Sequence, residues 1–126
     1  MANVNNKKTA IIGATENPQR YAFLAAKMLK EHGHPFVPLS IHGGKVLGED
    51  ILDLKIQPAV PDVNTVTMYI NPSHQEEWKD YILSLRPERV IFNPGSENQS
   101  FKVFLEQKGI AVVEACTLVM LRTGQF

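Results

Sequence analysis

The stretch T-A-I-I-G-A-T-E-N-P, residues 9–18, decides the fold. Its apolar run, residues 9–12, stops at Gly13, as a short buried strand of a parallel sheet does. Asn17-Pro18 has the composition of a helix start, a capping side chain followed by proline at the first helical position. Apolar residues then recur at helical spacing over residues 19–31. The passage predicts a strand, a tight loop and a helix, the opening of a Rossmann-like unit.

Short apolar segments and helix-like segments alternate along the rest of the chain. Further strands are predicted at residues 35–39, 63–70, 89–92 and 110–113. Further helices are predicted at residues 73–85, where Ser73 and Glu76 have capping-box spacing, and at residues 98–108. Segment 49–60 has the weakest pattern and is interpreted as one helical turn followed by extended chain, and residues 116–121 form a helical turn or a last packed segment.

This alternation predicts an α/β fold, a Rossmann-like doubly wound parallel five-stranded sheet with helices on both faces. The predicted strand order is 3-2-1-4-5, which places strand 63–70 outside strand 35–39. The length of 126 residues suits one domain over residues 1–126, with a flexible start at residues 1–8.

Composition excludes several classes of protein. The formal net charge is zero, whereas nucleic-acid binders usually carry a basic surplus, so no nucleic acid is expected as a partner. No apolar stretch is long enough to span a membrane, and the polar start does not resemble a signal peptide, so the predicted location is cytoplasmic. Cys116 is the only cysteine, which excludes an intrachain disulfide.

Asparagine-proline pairs follow three of the predicted strands. They are Asn17-Pro18, Asn71-Pro72 and Asn93-Pro94. In a parallel sheet these positions share the carboxyl edge, where ligands bind at the point at which the strand order reverses. Each pair is also simply a good helix start. Their shared edge favours a crevice built for a ligand.

The loop after the first strand is the best candidate for a phosphate site. Gly13 allows a tight turn, Thr15 offers a hydroxyl, and the next helix directs free N–H groups at a bound anion. Arg20 can add a bidentate contact. The loop lacks the other glycines of G-x-G-x-x-G, so an ordinary turn with a solvated arginine is the alternative.

The end of the second strand bears on which nucleotide binds. An NAD site usually has an acidic residue there for the ribose, but residues 38–42 contain none. Gly43-Gly44-Lys45 follows, a flexible segment with a cation. This pattern favours a ribose that carries a phosphate, as in coenzyme A or NADP, although Lys45 is also typical of an exposed surface.

No catalytic or metal-binding residues are predicted. The histidines, His32, His34, His42 and His74, have no acid or nucleophile at a telling spacing. Cys116 lies in an apolar segment, which indicates a buried, inert thiol. The sequence therefore favours binding over catalysis.

Nearly the whole chain after residue 8 resembles the small stand-alone CoA-binding domain proteins, which are similar to the N-terminal CoA-binding domain of the succinyl-CoA synthetase α subunit. The resemblance depends on the order and spacing of several short motifs. These are Ile11-Ile12-Gly13-Ala14-Thr15, Pro18, Arg20-Tyr21, Gly33, Val37-Pro38, Val46-Leu47-Gly48, Asn93-Pro94-Gly95, Gly109-Ile110 and Cys116.

The resemblance implies that coenzyme A lies across the carboxyl edge of the sheet. It assigns the pyrophosphate to Gly13, Ala14, Thr15 and Arg20, and the adenosine with its 3′-phosphate to Ser40 and Lys45. It assigns the adenine or ribose side to Ile70, Asn71 and Pro72, and the pantetheine path to Asn93, Pro94 and Gly95. Many relatives have lysine where this chain has His42, so the 3′-phosphate contact depends on Lys45.

Three functions remain open from the sequence. The leading hypothesis is a non-catalytic domain that binds CoA or acyl-CoA. The alternatives are an NADP-dependent oxidoreductase subunit and a degenerate Rossmann scaffold that binds another protein through residues 117–121. The protein partner is unknown at this stage.

Overall fold

The run at residues 9–12 forms β1, an inner strand of a parallel sheet. The structure, a computed structural model, describes residues 6–126. Within them the strands are β1 (Thr9–Ile12), β2 (Phe36–Ser40), β3 (Lys45–Val46), β4 (Glu49–Asp50), β5 (Leu52–Asp53), β6 (Thr65–Met68), β7 (Arg89–Phe92) and β8 (Ala111–Glu114). The α-helices are α1 (Tyr21–Glu31), α2 (Lys79–Ser84), α3 (Gln99–Gln107) and α4 (Thr117–Arg122).

The main sheet has six parallel strands in the order β5-β2-β1-β6-β7-β8. The α/β Rossmann-like class and the helices on both faces are confirmed. The predicted five-stranded order 3-2-1-4-5 is wrong in detail. Residues 65–68 form β6, which pairs with β1 instead of lying on the outer side of β2. All four of these residues are buried, which an edge strand could not achieve. The outer place belongs to β5, which lies in segment 49–60, where no strand was predicted.

The switch of direction falls between β1 and β6. Ile12 lies opposite Leu39 on one side and Met68 on the other, so the three strands end at the same level. The chain adds β2 and β5 on one side of β1 and then crosses over to start β6 on the other side. A crevice at this point of the carboxyl edge is the expected ligand position of an open α/β sheet.

Alternation of side chains along the strands divides the core into two layers. Ala10 and Ile12 pack with α2 and α3 on one face, and Ile11 packs with α1 and α4 on the other. Both faces of the sheet are therefore covered by apolar helix surface, which is why the parallel strands are continuous apolar runs.

Two predicted helix starts differ in the structure. Asn17 Oδ1 accepts from the amide of Gln19 and closes a turn, and α1 begins only at Tyr21, after an extended Arg20. Predicted helix 73–85 is instead two 3₁₀ turns, Pro72–His74 and Glu76–Trp78, followed by the short α2. The Ser73 hydroxyl donates to Asn71, which takes the capping role that the sequence gave to Ser73.

The flexible start predicted for residues 1–8 falls mostly on residues 1–5, which lie outside the described residues. The next part of the chain is held to the body of the domain. The amide of Lys7 donates to His34 Nδ1 at 3.0 Å, and Lys8 Nζ donates to the carbonyl of Pro61 at 2.7 Å.

Candidate functional site

Two adjoining cavities open at the carboxyl edge, at the switch between β1 and β6. The smaller has a volume of about 280 Å³ and extends toward the end of β7, and the larger, about 580 Å³, extends toward the end of β2. The larger cavity alone is in the usual range for a ligand site. Both are lined by a shared ridge, Gly13, Thr15, Arg20, Tyr69, Ile70 and Asn71.

Most of the residues that the sequence assigned to a cofactor come together here. The larger cavity adds Ala14 and Ser40 to the shared ridge, and the smaller adds Asn93, Pro94 and Gly95. Pro72 and Lys45 are not among the lining residues of either cavity. The sequence prediction thus identified one edge of the sheet, and the structure divides that edge into two compartments.

Lys45 lies on the two-stranded β3–β4 hairpin. Its ammonium is 3.6 Å from Asp50 Oδ1, and both side chains are largely exposed. An exposed pair of this kind contributes little to stability. The nearest charge to the lysine is thus an acid on its own hairpin.

Two backbone amides of the loop after β1 are hydrogen-bonded to β2. Gly13 N and Ala14 N both donate to the carbonyl of Leu39, at 2.9 and 3.1 Å. Gly13 has a φ of +93°, and a β-carbon there would lie 2.7 Å from Ile70 Cγ2 and 3.0 Å from the carbonyl oxygen of Tyr69. Gly13 therefore shapes the loop, and its own amide is occupied.

The free hydrogen-bond donors of the loop lie further along. The backbone amides of Thr15, Glu16, Tyr21 and Ala22 have no acceptor within residues 6–126. Arg20 is exposed between them, and its guanidinium makes no hydrogen bond or ion pair with the described part of the chain. Unsatisfied amides at the start of an eleven-residue helix, next to a free arginine, are suited to an anion.

Asn93 is committed to the fold. Its Nδ2 donates to Thr67 Oγ1 at 2.7 Å and to the carbonyl of Met68 at 2.9 Å, and its Oδ1 accepts from Thr117 N at 2.8 Å. The side chain is buried and joins the end of β7 to β6 and to the start of α4. It lines the smaller cavity but has no free donor left for a ligand.

A second buried amide ties the neighbouring loops together. Gln75, absent from the sequence prediction, donates to the carbonyls of Ile70 at 3.0 Å and Ser96 at 2.7 Å. Its Oε1 accepts from Asn98, whose own Oδ1 caps α3 through the amide of Phe101. The walls of the crevice are therefore held by bonded amides, which makes their spacing rigid.

Tyr69 is one of the residues of the shared ridge that lines both cavities. Its hydroxyl is buried and has no partner within hydrogen-bond geometry in the described residues, and the nearby Thr67 and Thr117 hydroxyls bond to each other at 2.8 Å. Burial raises the pKa of the Tyr69 hydroxyl to about 12. Since only the unfolded chain ionises near pH 10, this group lowers the stability of the fold as the pH rises from about 10 to 12.

We expect Tyr69→Phe to leave the stability at pH 7 unchanged or to raise it by up to about 1 kcal/mol, because no hydrogen bond is lost. It should also reduce the loss of stability above pH 10. Tyr81→Phe is the matched control, since the Tyr81 hydroxyl donates to the carbonyl of Pro58 at 2.7 Å. That variant should lose about 1 kcal/mol at pH 7. Urea unfolding at pH 7 and pH 11 measures both, and equal losses at pH 7 would contradict the assignment.

The structure adds titratable residues that the sequence analysis did not assign to a ligand. Glu16 and Glu77 line the larger cavity, as do His42 and His74. The carboxylate of Glu16 lies against the glycine loop after β2, so close that a β-carbon on Gly44 would be 2.5 Å from Oε2. The sequence could have suggested Glu16 as a lining residue, because Glu16 follows Thr15 in the predicted phosphate loop. It could not have suggested Glu77, because Glu77 lies in a different loop.

Other expectations concern the rest of the described chain. Cys116 is half-buried at the start of α4, less enclosed than predicted. Residues 6–126 contain no group of three acidic, histidine or cysteine side chains placed to hold a metal ion. None of their helices has the length and apolarity needed to cross a bilayer.

Several solved structures have this fold. An uncharacterized protein of known crystal structure is 51% identical, with a TM-score of 0.93 over 96% of this chain and 98% of its own. A Thermus thermophilus protein is 26% identical, with a TM-score of 0.83 over 97% and 92%. A hypothetical protein from Pyrococcus horikoshii OT3, 24% identical, has a TM-score of 0.81 over 94% and 83%, which shows the fold alone.

No curated protein matches the chain. A family model does, and it covers nearly all of the sequence that forms the sheet and the crevice. That family is described as the CoA binding domain, and the match extends over residues 7–122. The chain therefore belongs to the CoA binding domain family.

Proposed function

We propose that this chain is a non-catalytic domain that binds CoA or acyl-CoA, with the cofactor pyrophosphate at the amino end of α1. One observation carries the proposal. Tyr21 and Ala22, whose amides are free, line the smaller cavity, and the unpaired Arg20 beside them lines both cavities. A ligand with a diphosphate between two dissimilar groups suits this arrangement. In CoA the diphosphate joins the adenosine to the pantetheine arm.

The two cavities differ in chemistry in the way the two arms of CoA do. The larger combines apolar groups, Leu54 and Trp78, with the polar Ser40, which suits an adenosine. The smaller is lined by Met68 and Pro94 and, among the described residues, by no acidic side chain, which suits the uncharged pantetheine arm.

Binding can be tested on the purified chain by calorimetry and thermal unfolding. CoA should raise the melting temperature in proportion to RT ln(1 + [L]/Kd), and NADP should compete poorly. No shift with CoA at millimolar concentration would refute the proposal. A larger shift with NADP would favour an oxidoreductase subunit.

Arg20→Gln should weaken CoA binding about tenfold, because a charge-assisted contact to the diphosphate is removed while the exposed position tolerates the change. Arg122→Gln is the control, an exposed arginine at the end of α4 that lines neither cavity. Isothermal titration at constant salt measures both variants. Equal affinities in the two variants would place the pyrophosphate elsewhere.

A further inference from the structure

Two acids face the adenosine side of the site. Glu16 reaches the larger cavity from the loop after β1, and Glu77 reaches it from the 3₁₀ turn Glu76–Trp78. Arg20 is the one lysine or arginine among the described residues that line this cavity, and it also faces the diphosphate position. A second phosphate group here would meet two carboxylates with no cation of its own.

The cation that the sequence offered for a 3′-phosphate lies on the β3–β4 hairpin. Lys45 does not line the cavity and has Asp50 as its neighbour at 3.6 Å. The space between the glycine loop and the loop after β1 holds the Glu16 carboxylate, packed against Gly44. A carboxylate repels a phosphate and accepts a hydrogen bond from a ribose hydroxyl.

We propose that the site recognises the ADP–pantetheine part of its ligand and not the 3′-phosphate, so that dephospho-CoA binds at least as tightly as CoA. This inference rests on the proposed function. It reverses the preference expected from Lys45, because Glu16 and Glu77, which come from two separate loops, line this cavity and Lys45 does not.

The test compares CoA with dephospho-CoA by isothermal titration at pH 8 and low salt. The same cavity is also lined by His42 and His74, which stay unchanged in every variant. Dephospho-CoA should bind about threefold more tightly than CoA, a size typical of exposed charges. If CoA binds more tightly than dephospho-CoA, the inference is overturned and the proposed function stands. If neither binds, both fall.

The charge origin is tested with the double variant Glu16→Gln, Glu77→Gln. It should shift the affinity ratio toward CoA by about threefold. The control is Glu31→Gln, Glu106→Gln, which removes the same charge from exposed positions that line neither cavity. A ratio that moves equally in both double variants, or in neither, contradicts a local role for the two acids.

Discussion

Replacing Asn93 by alanine is expected to lower the free energy of unfolding by about 3 kcal/mol. The side chain is 3% exposed, and three hydrogen bonds end on it. Without it the amide of Thr117 and the carbonyl of Met68, both in fully buried residues, lose partners. Leaving buried polar groups unsatisfied costs more than the net value of the bonds themselves.

Asn71→Ala is the matched control, because Asn71 also precedes a proline in the loop after a strand, β6, but is exposed. Its Oδ1 accepts only from the amide and hydroxyl of Ser73, and losing this cap should cost about 1 kcal/mol. Urea unfolding, with equal m-values as the check on two-state behaviour, measures the difference. A loss in Asn93→Ala no larger than in Asn71→Ala would show that the network does not hold the edge together.

A second substitution separates lost bonds from lost volume. Asn93→Asp keeps the acceptor for Thr117 but turns a carboxylate oxygen toward the carbonyl of Met68, where the amide donated. We expect it to be at least as destabilising as alanine at pH 8 and less so at acid pH, because protonation restores a donor. Because aspartate keeps almost the volume of asparagine, a variant as stable as the wild type at both pH values would mean that volume alone matters.

The fold was predictable from the sequence where strand and helix patterns are long and local. Gly13 after an apolar run and the periodic helix behind it place β1 and α1 correctly, apart from the start of the helix. The position of β6 was not predictable in this way, because pairing is a long-range property. The position on the outer side of β2 is occupied by β5, which is two residues long and has no sequence pattern that would predict it.

The sequence predicted which edge of the sheet carries the candidate site, but it did not predict which residues of that edge are free to bind a ligand. The three asparagine-proline pairs do lie at the carboxyl edge, but Asn93 is bonded within the fold and the free donors are the amides of Tyr21 and Ala22. Sequence spacing cannot show which polar group is already satisfied, since partners such as Thr117 come from distant segments. For the same reason the sequence did not predict that Glu77 lines the larger cavity together with Ser40.

Gly13→Ala is expected to cost about 3 kcal/mol of stability and to weaken CoA binding at least tenfold. The strain has two parts, a left-handed φ of +93° and a β-carbon 3.0 Å from the backbone oxygen of Tyr69. A backbone atom cannot rotate away, so the loop must shift relative to β6. That shift moves Arg20 and the free amides of α1 away from the diphosphate position.

Gly95→Ala separates the two parts, because Gly95 has almost the same φ, +92°, with no atom within 4 Å of an added β-carbon. It should cost only the backbone strain, about 1 kcal/mol. Gly109→Ala, on the opposite edge of the sheet at φ +82°, is the control for affinity and should leave CoA binding unchanged. Similar losses of stability at Gly13 and Gly95 would mean that the contact with Tyr69 is relieved at no cost. If Gly13→Ala then also bound CoA normally, the loop after β1 would not set the geometry of the pyrophosphate site.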